Sequence, residues 1–239
     1  MSKLFNKVIY FESLDSTNNY IKRLYKRFSL KSNLMVVANY QSNGRGTMGK
    51  KWFSDRNSLS FSFSVLTNSQ INPWKINMLV SVVLIKVLSD LGLQAMIKYP
   101  NDIIINNKKI AGILTEVISV NMLKYCITGV GLNINNTCFP FELKKAISIK
   151  QLTSNDIDKD DLINIINREL ELYYSKINEI KKIYFSHLHG SSSYVPSFLK
   201  GKLTNMKILD LNSKGYLTVS TSEKNKEVVK YSDVSFILN

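Results

Sequence analysis

The stretch Lys98-Tyr99-Pro100-Asn101-Asp102-Ile103-Ile104-Ile105-Asn106-Asn107-Lys108-Lys109-Ile110-Ala111-Gly112-Ile113-Leu114-Thr115-Glu116 lies in a segment, residues 95–116, that reads as strand, turn, strand. Asparagine tolerates the positive φ of a tight hairpin, which puts the turn at Asn106-Asn107. Before it, Asn72-Pro73 is an N-cap followed by proline at the first helical position, opening a long apolar helix that Gly92 closes. Residues 59–65 alternate apolar residues with serines, as a half-buried strand does, and residues 34–38 and 8–11 also read as strands. Asp15-Ser16-Thr17-Asn18 supplies cap residues for a helix with Tyr20, Ile21, Leu24, Tyr25 and Phe28 at helical spacing. Toward the C-terminus, a strand over 125–130 ends in Gly129-Val130-Gly131, and residues 160–183 carry helical periodicity. After Pro196 the pattern changes to four short β runs, near 202–210, 216–222, 227–230 and 235–238. The expected fold is therefore α+β: a domain over residues 1–190 with a mixed β-sheet flanked by helices, then a small C-terminal β-barrel over 195–239.

Composition narrows the function classes. With 239 residues, 44% of them hydrophobic, the chain can hold one substantial core and a small appendix. Its longest apolar run, residues 78–88, is broken by Ser81 and Lys86 and is too short for a membrane span. No signal-like apolar core opens the chain, and Cys126 and Cys138 cannot form a disulfide framework, so a reduced, cytoplasmic protein is expected. The formal charge of +14 fits either a nucleic-acid binder or a generically basic surface. The bases are mostly lysine, spread along the whole chain with abundant Asn and Ile, which favours the surface reading.

Three stretches carry candidate chemistry. In Tyr40-Gln41-Ser42-Asn43-Gly44-Arg45-Gly46-Thr47-Met48-Gly49-Lys50-Lys51-Trp52, three glycines in six positions let backbone N–H groups form an anion nest. Arg45 adds a planar fork for carboxylate or phosphate, and Trp52 could stack on an adenine ring; the bland alternative is a flexible surface turn. In residues 98–116, Asn101 and Asp102 stand where a strand bends after a proline, and Asp102 could hold Mg²⁺. Lys109 starts an apolar strand and could point into a cleft, unless Lys108-Lys109 is only a solvated turn. In Gly129-Val130-Gly131-Leu132-Asn133, small residues permit close ligand approach and Asn133 can read a purine edge; a glycine-enabled turn explains them equally. His187-Leu188-His189 and the charged face of residues 156–171 read as solvated helix surface rather than as a metal site.

Together these stretches resemble the biotin protein ligase family. The family's Gly-Arg-Gly, basic stretch and Trp are met at residues 44–52, and its Lys-Trp-Pro-Asn-Asp at residues 98–102, with Tyr99 for tryptophan. Its Lys-(Leu/Ile)-Ala-Gly-Ile-Leu-x-Glu is met at 109–116, its Gly-x-Gly-x-Asn at 129–133, and its Ser-Thr-Asn at 16–18. The resemblance implies a class II synthetase-like catalytic domain that forms biotinyl-5′-AMP from biotin and ATP, with Mg²⁺, and then moves biotin to a lysine of a biotin carboxyl carrier domain.

By motif position it implies Lys109 and Arg45 as the catalytic cations. Ser16, Thr17, Asn18, Gln41, Gly44, Arg45, Gly46, Thr47, Lys109 and Gly112 line the biotin site, and Arg45, Lys50, Trp52, Lys98, Asn101 and Asn133 the ATP or adenylate site. Asp102 is the metal candidate. Thr47 departs from the arginine of many relatives, which implies looser retention of the adenylate; Tyr99 keeps an aromatic wall. The pattern begins within the first dozen residues, leaving no room for the DNA-binding domain of repressor members, so no DNA partner is expected, and the apolar runs give no membrane partner; the resemblance leaves open a homodimer through sheet edges. The rival readings are a lipoate–protein ligase and a basic nucleic-acid-binding protein.

Overall fold

The computed structural model describes residues 4, 5, 7–28, 30, 32–67, 71–223 and 225–238; residues 1–3 and 6, read above for an export signal, lie outside them. The first part runs β1 (Lys7–Leu14), α1 (Thr17–Phe28), β2 (Leu34–Gln41), β3 (Ser58–Leu66), α2 (Pro73–Asp90), β4 (Met96–Lys98), β5 (Asp102–Ile105), β6 (Lys108–Val120) and β7 (Leu123–Asn133). Its strands form one seven-stranded sheet in the order β1-β2-β3-β7-β6-β5-β4. Only β1 and β2, joined through α1, are parallel; the others pair antiparallel, so the sheet is mixed as expected. There follow α3 (Ile149–Thr153), α4 (Lys159–Ser175), α5 (Ile180–Ser186), β8 (Val195–Leu199), β9 (Lys202–Leu211), β10 (Leu217–Thr221), β11 (Lys226–Val229) and β12 (Val234–Phe236).

Local chemistry sets the boundaries. The Asn72 side chain accepts from the Lys75 N–H at 2.9 Å, Pro73 opens α2, and Gly92 follows its end with φ +75°. Asn106 and Asn107, at φ 49° and 60°, form the two-residue turn between β5 and β6. The segment 95–116 is three strands rather than two, because Tyr99-Pro100-Asn101 folds β4 back onto β5.

Two expectations change. β3 is not half-buried: Ser58, Ser60, Ser62 and Ser64 are as buried as Leu59, Phe61, Phe63 and Val65. The apolar face joins the core with α2, while the serine face lies under α1, where Ser64 Oγ meets the Tyr25 hydroxyl at 2.8 Å. Gly129 and Gly131 do not end a strand in a turn. They lie inside β7, opposite Ser62 and Ser60 of β3 and Leu114 and Gly112 of β6. Directly opposed residues of an antiparallel pair share a face. One face of the sheet thus carries Ser60, Gly131, Gly112 and Asp102 in a row, and the other carries Phe61, Val130, Ile113 and Ile103.

That apolar face packs on α2, buried nearly all round from Ile76 to Leu88, and through it on α4 and α5. The C-terminal strands pair antiparallel as β11-β10-β9-β8-β12, one strand (β8) more than the sequence pattern predicts. Among the described residues β11 and β12 share no ladder, so the expected small barrel is, in its pairing, a five-stranded sheet. Its inner residues Met206, Ile208, Leu217 and Val219 belong to the same apolar cluster as α2. The Tyr99 hydroxyl donates to the Gly215 carbonyl at 2.7 Å, and Trp74 packs on both Tyr99 and Tyr184, with ring centroids 5.6 Å apart in each pair. This aromatic cluster supports the β4–β5 turn. Tyr99 accordingly faces the core, and the aromatic wall expected of it is not part of the cleft.

Candidate active site

The uncovered part of the Ser/Gly face is the floor of a cleft of about 500 Å³, within the range of small-molecule sites. Glycines make the floor low. A Cβ at Gly131 would stand 2.1 Å from Cε2 of Trp52, whose ring lies on β6 and β7. A Cβ at Gly129 would stand 2.4 Å from Asn18 Oδ1, and one at Gly112 would stand 3.0 Å from Lys109 Cε. Two of the glycines seat Trp52 and Asn18, which arrive from distant parts of the chain, and Gly112 seats Lys109 of its own strand.

Residues 44–52 form a short hairpin. Gly46 N–H donates to Lys50 O at 2.7 Å and Trp52 N–H to Gly44 O at 3.0 Å, and Arg45 bridges Lys51. The tip, Thr47–Gly49, turns through Met48 (φ 56°) and Gly49 (φ 76°). The N–H groups of Gly46, Lys50 and Trp52 are thereby spent inside this loop. It offers side chains: Arg45, Lys50 and Lys51 line the cleft.

Lys109 reaches the cleft through a β-bulge. On β5, Ile103 faces Ala111 and Ile104 faces Lys109, so Ile110 is the extra residue. The insertion buries Ile110 in the core and turns Lys109 to the opposite face, away from the solvated-turn alternative. The Lys109 Nζ is 2.5 Å from Asp102 Oδ1 and 5.6 Å from the Trp52 ring centre. Lys98, opposite Asp102, is held below its ordinary pKa by burial and by Lys109, Lys145 and Lys50, against the pull of Asp102. Four amines thus converge at this end. Lys145 also donates to the Leu238 carbonyl.

The other end is neutral and buried. Gln41 Oε1 accepts from the Thr17 N–H at 2.9 Å, Thr17 Oγ1 meets Ser62 Oγ at 2.6 Å, and Ser62 donates to Asn18 Oδ1 at 2.6 Å. Asn18 Nδ2 donates to Glu116 Oε2 at 3.0 Å. Glu116 Oε1 holds Lys22 at 2.6 Å and Arg45 at 3.3 Å, while Arg45 also donates to Asn19. Burial pushes the Glu116 carboxyl up, but hydrogen bonds from Lys22 and Asn18 and the two cations outweigh it and leave it below its ordinary pKa.

Every residue proposed from the sequence lines this cleft except Gly44, Lys98 and Asp102. A Cβ at Gly44 would meet the Trp52 carbonyl at 2.6 Å, so Gly44 serves the hairpin; Asp102 stands behind Lys109 as its ion-pair partner, with Lys98 opposite Asp102 on β4. Asn133 lines the cleft, yet its Nδ2 donates to Ile147 O at 3.0 Å and Lys109 O at 3.4 Å. The sequence reading missed Phe53, Phe139, Lys145 and Ser62. Phe53 and Phe139, with centroids 6.4 Å apart, wall the cleft beside Trp52. The alternation in β3 predicts a solvent-facing Ser62, which is buried.

Residues 10–133 match the model of the biotin/lipoate A/B protein ligase family. The bifunctional ligase/repressor BirA of Bacillus subtilis (strain 168) is 30% identical over 234 residues, 92% of this chain and 71% of its own length. The solved biotin protein ligase from Aquifex aeolicus, in complex with biotin and ATP, superposes with a TM-score of 0.80 at 25% identity, covering 98% of this chain and 100% of that one. The ligase from Leishmania major with biotinyl-5-AMP shares the fold at a TM-score of 0.63, 23% identity, 94% of this chain and 99% of its own.

Proposed function

This chain belongs to the biotin/lipoate A/B protein ligase family, and from that premise we propose that it forms biotinyl-5′-AMP from biotin and ATP and passes the biotinyl group to a lysine of a carrier domain. The observation that carries the reading is the polarity of the cleft: neutral hydrogen-bonding side chains at one end, amines at the other, and Trp52 on a glycine floor between them.

Thr17, Gln41 and Ser16 meet the ureido end of biotin, a group with one carbonyl and two N–H. The valeryl chain runs over the floor, and the carboxylate reaches Lys109; Arg45, tied in this structure to Glu116 and Asn19, joins it by leaving Glu116. A carboxylate oxygen attacks the α-phosphorus, the bond to the β-phosphate oxygen breaks, and pyrophosphate leaves. Both reactants are anionic, so fixed positive charge and alignment supply the rate. Lys109 is preorganised for this by Asp102 and by the bulge. In the second step the carrier lysine's amine attacks the acyl carbon, AMP leaves and an amide forms. Trp52, Phe53 and Asn133 hold the adenosine part.

The residues do not build a resident metal site. Asp102 is held by Lys109, and among the described residues no group of three His, Cys, Asp or Glu could hold a metal. Mg²⁺ is held by one or two carboxylates together with substrate phosphates, so it would enter with ATP rather than reside at Asp102. Among the described residues no helix is long and apolar enough to cross a membrane.

The test is transfer of biotin to a recombinant biotin carrier domain with ATP, lipoate serving as the control substrate. Biotin-dependent pyrophosphate exchange and carrier labelling are expected, with none from lipoate. Labelling by lipoate in preference to biotin, or none by either, would overturn the assignment.

A further inference from the structure

We infer that Glu116, acting through Asn18 and Ser62, is a positioning residue that sets the hydrogen-bond polarity of the head-group end of the cleft and so its selectivity for a urea. This rests on the biotin reading above. Glu116 lies at the far end of the buried chain and does not itself line the cleft.

The inference follows from counting hydrogens. The Asn18 amide has only one workable orientation, because its Nδ2 faces two acceptors, Glu116 Oε2 at 3.0 Å and Leu114 O at 3.3 Å. Its Oδ1 therefore faces Ser62, whose single hydroxyl hydrogen is spent on it at 2.6 Å. Thr17 Oγ1 has two acceptors within reach, Gln41 Oε1 at 3.1 Å and Ser62 Oγ at 2.6 Å, and because the Ser62 hydrogen is spent, the shorter contact must use the Thr17 hydrogen. With that hydrogen turned inward, Thr17 offers lone pairs to the cleft. Gln41 Oε1 is occupied by the Thr17 N–H at 2.9 Å, which leaves the Gln41 Nε2 hydrogens as the donors the amide can offer. The end wall is an acceptor beside a donor, the complement of a urea N–H beside its C=O. A dithiolane has neither group.

The sense of this chain is imposed at Glu116. Its Oε1 is claimed by Lys22 and Arg45, so only a carboxylate can present an oxygen both to the cations and to Asn18. A glutamine there keeps its oxygen on the cations and turns its NH₂ to Asn18. To accept from that NH₂, Asn18 must flip and give up its bond to Leu114 O; Ser62 then donates to Thr17, and Thr17 turns its hydrogen to Gln41 Oε1, 3.1 Å away. The wall keeps its shape and loses its acceptor. Gly129 makes room for this device, since any Cβ there would stand 2.4 Å from Asn18 Oδ1.

The experiment measures biotin-dependent pyrophosphate exchange by the full chain for Glu116→Gln, Ser62→Ala and the double variant, with KM for biotin and for ATP determined separately. Losing one substrate hydrogen bond in a buried site is expected to raise KM for biotin about tenfold or more in each single variant. KM for ATP and kcat should stay within about threefold, and the biotin-over-lipoate preference should fall. Because the two positions act along one chain, the double variant should be no worse than the worse single one. Three results overturn the inference: a Ser62→Ala KM for biotin within twofold of wild type, effects that multiply in the double variant, or a rise in KM for ATP equal to that for biotin, which would place Glu116 behind Arg45 alone. A variant that does not fold, by its thermal melt, leaves the other single variant's biotin KM to decide. A wild type that exchanges no pyrophosphate with biotin refutes the function itself, a different result.

Discussion

A single methyl group at Gly131 tests whether the glycine floor exists to seat Trp52. In Gly131→Ala the new Cβ would lie 2.1 Å from Cε2, 2.4 Å from Nε1 and 2.5 Å from Cζ2 of the ring. Ordinary contact begins at 3.4 Å, so the ring must retreat by at least 1.3 Å. It cannot do so freely, because Trp52 N–H is tied to Gly44 O at 3.0 Å and Lys109 Nζ stands 5.6 Å from the ring centre. Overpacking of this kind costs about 1–3 kcal/mol, which for a chain of this length lowers Tm by roughly 2–12 °C. The functional cost is larger if Trp52 holds the adenosine part, since a displacement of about 1 Å at a positioned group can cost on the order of 100-fold in rate. Pyrophosphate exchange against ATP concentration, with a thermal melt of the same sample, measures both. At Gly112 the ring is 3.2 Å from the added Cβ, a deficit of 0.2 Å, so Gly112→Ala should disturb ATP binding less. A Gly131→Ala enzyme with wild-type KM for ATP and wild-type Tm would refute the reasoning.

Three other outcomes are expected. Lys109→Ala should nearly abolish adenylate formation, by about 100- to 1,000-fold in kcat, with the fold intact; exchange within tenfold of wild type would remove Lys109 from its role. Thr47 lines the cleft at the hairpin tip, and we expect its short side chain to let the adenylate go, so Thr47→Arg should slow biotinyl-5′-AMP dissociation; unchanged or faster release would contradict this. The Arg23 side chain holds the Asp15 carboxyl down to about 2, mainly by hydrogen bonding. A folded pKa depressed in this way stabilises the protein above the unfolded value of about 3.9 and loses that contribution as pH falls toward 2. The Tm difference between wild type and Asp15→Asn should shrink over that window, and a pH-independent difference would count against it.

Elements whose cause is local were legible in the sequence. Asn72-Pro73 starts α2 and Asn106-Asn107 turns β5 into β6, because capping and positive φ are decided within a few residues. What went unread depends on remote partners. Alternation in β3 says that two faces differ, not that the serine face meets α1 instead of water. Gly129 and Gly131 look like turn residues until Asn18 and Trp52 are seen to need the space. Lys109 points into the cleft only because of a bulge against β5, which β6 alone does not announce. Most residues that the motifs named line one cleft; the division between those lining it and those behind it, Lys98, Asp102 and Gly44, required the fold.

The seating of Asn18 on Gly129 and Trp52 on Gly131 has a bearing on how this enzyme can change. Each glycine is one half of a lock whose other half lies far away in the chain, so its tolerance is a property of the pair. A mutational scan taken one position at a time would score these glycines as immovable. Paired with a smaller group at position 18 or 52, the same changes become steps along a path, each reshaping a different end of the cleft. Redirecting the ligase to another acid is therefore a problem in epistasis, with Asn18–Gly129 governing the head group and Trp52–Gly131 the nucleotide.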